Sequence, residues 1–80
     1  MTRVQVLYFA SLRDAAGIAQ EAVDTDAENL AALYEDLRAR HGFVLPRERL
    51  RVAVDGAFAT WGDPPRAETE IAFIPPVSGG

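Results

Sequence analysis

Cysteine and lysine are both absent from these 80 residues. Without cysteine there is no disulfide, no thiolate metal site and no thiol nucleophile. Without lysine there is no ε-amine to form a Schiff base or to accept an isopeptide bond. All eight basic residues are arginine, a bias that a GC-rich genome produces. Histidine is nearly missing as well. His41 stands alone, and one imidazole without thiolates does not make a zinc site, so no metal is expected. The net charge is −4 and the pI about 4.7. No basic stripe exists to neutralise phosphates, so nucleic acid is excluded as a partner, and an acidic chain of this size suits a basic protein instead. Every apolar run falls short of the ~20 residues that span a membrane. The opening MTRVQVLYFA is patterned like a strand and has no small-residue cleavage site, unlike a signal peptide. A soluble, cytoplasmic protein is expected, with no membrane contact.

What is present is an ordinary globular composition, 49% apolar and 25% charged, sufficient for one small domain. The stretch 3–9 (RVQVLYF) is β-branched and aromatic and reads as a central strand, apolar on both faces. Residues 11–16 read as a short helix with Ser11 as N-cap and Gly17 as its stop. Residues 19–24 read as a more polar edge strand. Thr25-Asp26-Ala27-Glu28 has the form of a capping box. It precedes a helix whose buried stripe is Leu30, Leu33, Tyr34, Leu37 and His41, closed by Gly42. A loop or helical turn over 46–49 leads to a strand at 50–54. Asp55-Gly56 turns a hairpin into a short strand at 57–60. A loop at 62–65 precedes the last strand, 70–74, which Pro75-Pro76 ends.

This order, β-α-β-α-β-β-β, predicts an α+β fold of the ubiquitin-like β-grasp type. Its mixed sheet has first and last strands central and parallel, and one main helix packs on one face. The domain is 1–74, and 75–80 form an extended C-terminal tail. Strand alternation turns Val4, Val6, Tyr8, Val52, Val54, Ile71 and Phe73 toward the helix. The other face carries Leu7, Phe9, Ala72 and Ile74, with Phe58 nearby. Nothing obvious covers it, which marks a partner surface, unless the short helix or the 43–50 loop does so.

Side-chain chemistry is sparse. No Gly-rich loop leads to Lys-Ser/Thr. Ser11 and Ser78 lack an arranged His and Asp, and His41 sits at a helix end, where a cation suits the dipole. Glu35-Asp36 belong to a solvated helix face, Asp24 and Asp26 flank the cap, and Trp61 reads as a core or rim aromatic. The chain alone is not read as an enzyme. The reactive group is instead the chain end, PPVSGG. Six extended residues reach roughly 20 Å. Pro75 and Pro76 stiffen the root of this tail and reduce its ordering cost on capture. Val77 and Ser78 continue it, and Gly79 and Gly80 pass where a Cβ would be blocked. Two terminal glycines arise by chance in only about 0.5% of chains. The Gly80 carboxylate becomes a good electrophile once adenylated by ATP, and a sulfur donor or an amine can then take the acyl group.

The stretches VQVLYFASLRDAAG (4–17) and VAVDGAFATWGDPPRAETEIAFIPPVSGG (52–80) resemble the small subunits of molybdopterin synthase, the MoaD-type sulfur carriers. AFIPPVSGG is the most specific piece, and 25–49 match in pattern only. The resemblance implies that a MoeB-type enzyme consumes ATP to adenylate Gly80. A sulfur donor protein then gives a thiocarboxylate. The tail enters a MoaE-type large subunit and donates sulfur to cyclic pyranopterin monophosphate, building the molybdopterin dithiolene. The implied assembly is a heterotetramer whose catalytic side chains belong to the large subunit. No cofactor is bound by this chain. Gly80 carries the sulfur, Gly79 gives clearance, and Phe9, Phe58 and Ile74 are the implied docking residues. Three alternatives remain open: a carrier for thiazole or cysteine synthesis, a ubiquitin-like protein modifier, and a plain interaction domain with an inert tail.

Overall fold

In the computed structural model, which describes residues 1–76, the elements follow the expected order. They are β1 (Thr2–Tyr8), α1 (Ala10–Ala16), β2 (Gln20–Thr25), α2 (Leu30–His41), a 3-10 turn (Arg47–Arg49), β3 (Arg51–Val54), β4 (Ala57–Ala59) and β5 (Glu70–Ile74). The sheet order is β2-β1-β5-β3-β4. β1 and β5 are parallel, with Val6 beside Ile71 and Tyr8 beside Phe73. The other pairs are antiparallel. This is the mixed β-grasp sheet anticipated from the sequence, with α1 as a second, short helix. No helix among the described residues is long and apolar enough to cross a membrane.

The core lies between the sheet and α2. Val4, Val6, Tyr8, Val52, Ile71 and Phe73 are buried there with Leu30, Leu33, Tyr34 and Leu37, and Val54 packs against them half-buried. The Tyr34 ring stacks on Phe43 and its hydroxyl donates to the Leu45 carbonyl at 2.6 Å, so its polar tip is satisfied. Trp61 stacks on Phe73 with ring centroids 5.9 Å apart. Between β3 and β4, Asp55 (φ 50°) and Gly56 (φ 85°) form the two-residue turn. Both central residues have positive φ, as the twist of a tight hairpin demands. Asp55 also accepts from the Glu70 N–H at 2.8 Å and so ties the turn to β5.

Two helix starts differ from expectation. α1 begins one residue early with Phe9 as N-cap and no side-chain hydrogen bond; Ser11 lies inside the helix. Thr25-x-x-Glu28 is not the capping box of α2. Thr25 is still in β2, buried and paired with Thr2, and its hydroxyl accepts from Ala27 N–H instead. The cap is Asn29, whose Oδ1 accepts from Ala32 N–H at 2.8 Å. The N–H groups of Leu30 and Ala31 donate to the carbonyls of Asp63 and Trp61, so the loop after β4 satisfies the rest of the helix start. Strand ends shift by one residue: β1 stops at Tyr8, β2 runs on to Thr25, β3 begins at Arg51, and β4 stops at Ala59.

Asn29→Ala is expected to lower stability by about 1 kcal/mol. Glu28→Ala should stay within about 0.5 kcal/mol of the parent, as an exposed residue without a partner does. Urea unfolding of both variants reads this difference, and equal losses would restore the capping box.

Candidate functional site

The sheet face turned away from α2 is the candidate site. The register sets Leu7, Ala72, Ala53 and Phe58 in one row across β1, β5, β3 and β4. Arg51 and Ile74 form the next row, toward the C-terminal end of β5. Ala53 and Ala72 sink between larger neighbours and are buried, while Leu7 and Ile74 are half-buried. Phe58 is 70% exposed and Phe9, just past β1, is 44% exposed. Both expected covers direct apolar side chains to the main core. α1 sends Leu12 into the main core, and the 43–50 segment sends Phe43 and Leu50 there. That segment only borders the face. Residues 48–51 line one side of a recess of about 340 Å³, completed by Phe58, Ile74, Pro75 and Pro76.

Phe9, Phe58 and Ile74 thus share one side of the molecule. The two parallel strands β1 and β5 end at the same edge, so Phe9 and the tail root Pro75-Pro76 leave the sheet together. Pro75 is half-buried and Pro76 exposed. The expectations for Val77, Ser78, Gly79 and Gly80 lie outside the described residues. Ala53, at the centre of the apolar row, escaped the sequence reading. Its alternation with Val52 would have given it away, since only one of two neighbours can face the helix.

Behind this edge lies a polar cluster that the sequence reading missed. The Tyr8 hydroxyl donates to Glu21 Oε2, and His41 Nε2 lies 2.7 Å from the same oxygen. Arg40 approaches the other carboxylate oxygen at 3.9 Å. Tyr8 and His41 meet edge to face. His41 is therefore a tie between α2 and β2 and not merely a cation at a helix end. Burial, followed by the Glu21 hydrogen bond, pushes the Tyr8 hydroxyl far above the usual phenol range. Burial alone would raise the Glu21 carboxyl, but the hydrogen bonds from Tyr8 and His41, with the charges of His41 and Arg40, outweigh it and hold the pKa below the ordinary value. The signal in the sequence was parity: Glu21 shares the inward face of β2 with Val23 and Thr25. The cluster fixes the C-terminal end of β1, and with it the position of Phe9. Glu35 and Asp36 are solvent-exposed, as expected.

Because its folded pKa is depressed, Glu21 binds fewer protons folded than unfolded. Its contribution to stability is complete above the ordinary value of 4.5 and is lost as pH falls through the lower folded value. The urea midpoint of the parent should therefore fall more steeply between about pH 5 and pH 3 than that of Glu21→Gln. Parallel curves would remove Glu21 from the acid response.

Comparison with known proteins places these features in context. The ThiS family model matches residues 6–80. The chain is 31% identical over 80 residues to the molybdopterin synthase sulfur carrier subunit of Escherichia coli (strain K12), an alignment covering 96% of this chain and 99% of that protein. It is 33% identical over 85 residues to the Homo sapiens protein of the same name, covering 100% of this chain and 97% of the other. The crystal structure of SAMP1, small archaeal modifier protein 1, from Haloferax volcanii superposes with a TM-score of 0.80 at 27% identity, covering 98% of this chain and 99% of that one.

Proposed function

The chain belongs to the ThiS family, and on that footing we propose that it is the sulfur-carrier small subunit of a molybdopterin synthase. The observation that carries this reading is the junction of a sheet face that exposes Phe58, with Phe9 at its edge, and a proline-rooted end whose sequence closes in Gly-Gly. Two sulfur-carrier relatives aligned along nearly their whole length support it.

In this function the Gly80 carboxylate attacks the α-phosphorus of ATP on a MoeB-type enzyme, and pyrophosphate leaves. The resulting acyl-adenylate is attacked at its carbonyl by sulfur from a donor protein. AMP departs to leave an acyl disulfide when the donor sulfur is a persulfide, and a thiol reductant cleaves that disulfide, freeing the thiocarboxylate and taking the donor's sulfur into a new disulfide. The tail then enters a MoaE-type large subunit and delivers its sulfur to cyclic pyranopterin monophosphate. The carboxylate is regenerated, and two rounds complete the dithiolene. This chain supplies no catalytic side chain. Its own part is recognition and delivery. The apolar face docks, the prolines limit the conformations the tail must lose, and Gly79 and Gly80 fit where a side chain would clash. The working assembly is a heterotetramer of two small and two large subunits. ATP is the activating enzyme's substrate, and the chain itself holds no cofactor.

A second reading, protein modification, is favoured by the SAMP1 likeness. The adenylation step is shared, and the acyl group passes to a lysine amine of a target instead of to sulfur.

The test uses the full chain with an N-terminal tag, so that the terminal carboxylate stays free. Incubated with the activating enzyme, ATP and a sulfide source, it should exchange one oxygen for sulfur in its intact mass. With the large subunit and the pyranopterin it should then yield molybdopterin. Gly80→Ala should keep the parent's thermal midpoint yet transfer sulfur at least about tenfold more slowly, the cost of misplacing a reacting group. Normal transfer by that variant, or by a chain lacking Gly79 and Gly80, would overturn the tail mechanism. Lysine conjugates in place of molybdopterin would move the chain to the second reading.

A further inference from the structure

On this acidic chain, Arg51 sits within the apolar face itself. Strand alternation puts it on the same side as Ala53, and the register puts it opposite Ile74. Its guanidinium carbon lies 5.6 Å from the centre of the Phe58 ring. A planar cation held over an aromatic face loses freedom before binding, and the N–H donors in its own plane stay available to a partner. Arg49 lines the same recess from the 3-10 turn. Among the described residues, Arg3, Arg38, Arg40 and Arg47 each meet a carboxylate, whereas Arg49 and Arg51 meet none, as is also true of Arg13 and Arg66; only Arg49 and Arg51 line this recess. The one acid on the recess wall is Glu48, whose carboxylate lies 3.8 Å from Arg47.

Docking imposes a condition on these cations. Any partner that covers Phe58 also covers the guanidinium stacked on it. Removing an unpaired cation from water is unfavourable unless the partner returns an anion in good geometry. The recess beside it is walled by Leu50, Ile74, Pro75 and Pro76, and so accepts an apolar side chain.

Resting on the sulfur-carrier reading, we propose that Arg51, assisted by Arg49, receives a carboxylate side chain of the large subunit, while an apolar neighbour of that acid fills the recess. The large subunit is the occupant because the recess shares Phe58 and Ile74 with the face that docks there. The pairing sets the register of the complex beside the tail root, where a small rotation would misdirect the chain end.

The experiment is calorimetric titration of the large subunit from the same genome into the parent chain, Arg51→Gln, Arg51→Glu and Phe58→Asp, at low and high sodium chloride. Circular dichroism establishes that each variant is folded. Binding should weaken by about tenfold for Arg51→Gln and further for Arg51→Glu. The parent's affinity should fall with salt more steeply than that of Arg51→Gln. If both Arg51 variants bind like the parent while Phe58→Asp does not, the docking face stands and the carboxylate inference is overturned. Equal losses for Arg51→Gln and Arg51→Glu with unchanged salt dependence would also overturn it, since packing alone then explains them. If the parent does not bind, the docking reading fails and takes this inference with it.

Discussion

The parallel pairing of β1 with β5 is the constraint from which the rest of the molecule follows. Strands far apart in sequence run side by side, Gln5 to Tyr8 against Glu70 to Phe73. A parallel neighbour cannot be reached by a tight turn, so the chain between them must cross over the sheet. α2 makes that crossing and supplies Leu30, Leu33, Tyr34 and Leu37 to one face. The two hairpins then extend the sheet outward on either side, through β2 and through β3–β4. Among the described residues, apolar side chains of α1 and of the 43–50 segment also go to the α2 side, Leu12, Phe43 and Leu50 among them. The same parallel pairing ends β1 and β5 at one edge. One interaction therefore creates the core, leaves the opposite face open, and brings the tail root beside Phe9.

Most of this was legible because alternation in a sheet is rigid. Val4, Val6 and Tyr8 could not be buried on α2 without turning Leu7 the other way. The apolar character of both faces of β1 and β5 identified them as the interior strands. The helix start was less legible because two local motifs competed for it. Thr25-x-x-Glu28 matches a capping box by residue type, but Thr25 is buried and paired with Thr2, so it could not leave β2 to cap a helix. Ladder pairing with burial outweighs a cap worth about 1 kcal/mol. Asn29, one residue before the first buried leucine, is free of that conflict. The Tyr8–Glu21–His41 cluster was hidden for a different reason. Its members come from β1, β2 and α2, and only the tertiary arrangement brings them together.

The candidate site was legible to a degree set by where its chemistry lies. A catalytic triad or metal centre announces itself by residue types at fixed spacings. Here the proposed reacting group is a main-chain carboxylate, which every protein possesses. The sequence could mark it only through its surroundings: two prolines, two glycines and an apolar face without a covering element. The exposure of Phe9 and Phe58 and the outward register of Ile74 agree with strand parity, and their docking role is what the resemblance implies. Arg51 was not legible, because its meaning depends on the ring beneath it and on Ile74 opposite it.

A carrier of this kind divides the work of an enzyme in a physically sensible way. In the function proposed above, the reactive end visits at least two active sites, one that adenylates and one that accepts sulfur, and a carrier that does so cannot enclose that end in a pocket of its own. Binding energy has to come from a surface away from the reacting atoms and be spent on positioning them. The open sheet face meets that requirement, since Phe58 and Ile74 adjoin the tail root Pro75-Pro76. The polar cluster behind Tyr8 contributes from the core side by anchoring the strand that presents Phe9. An apolar face alone would bind many partners indifferently. A charged group within it, which a wrong partner would strip of water and leave unpaired, converts adhesion into selection.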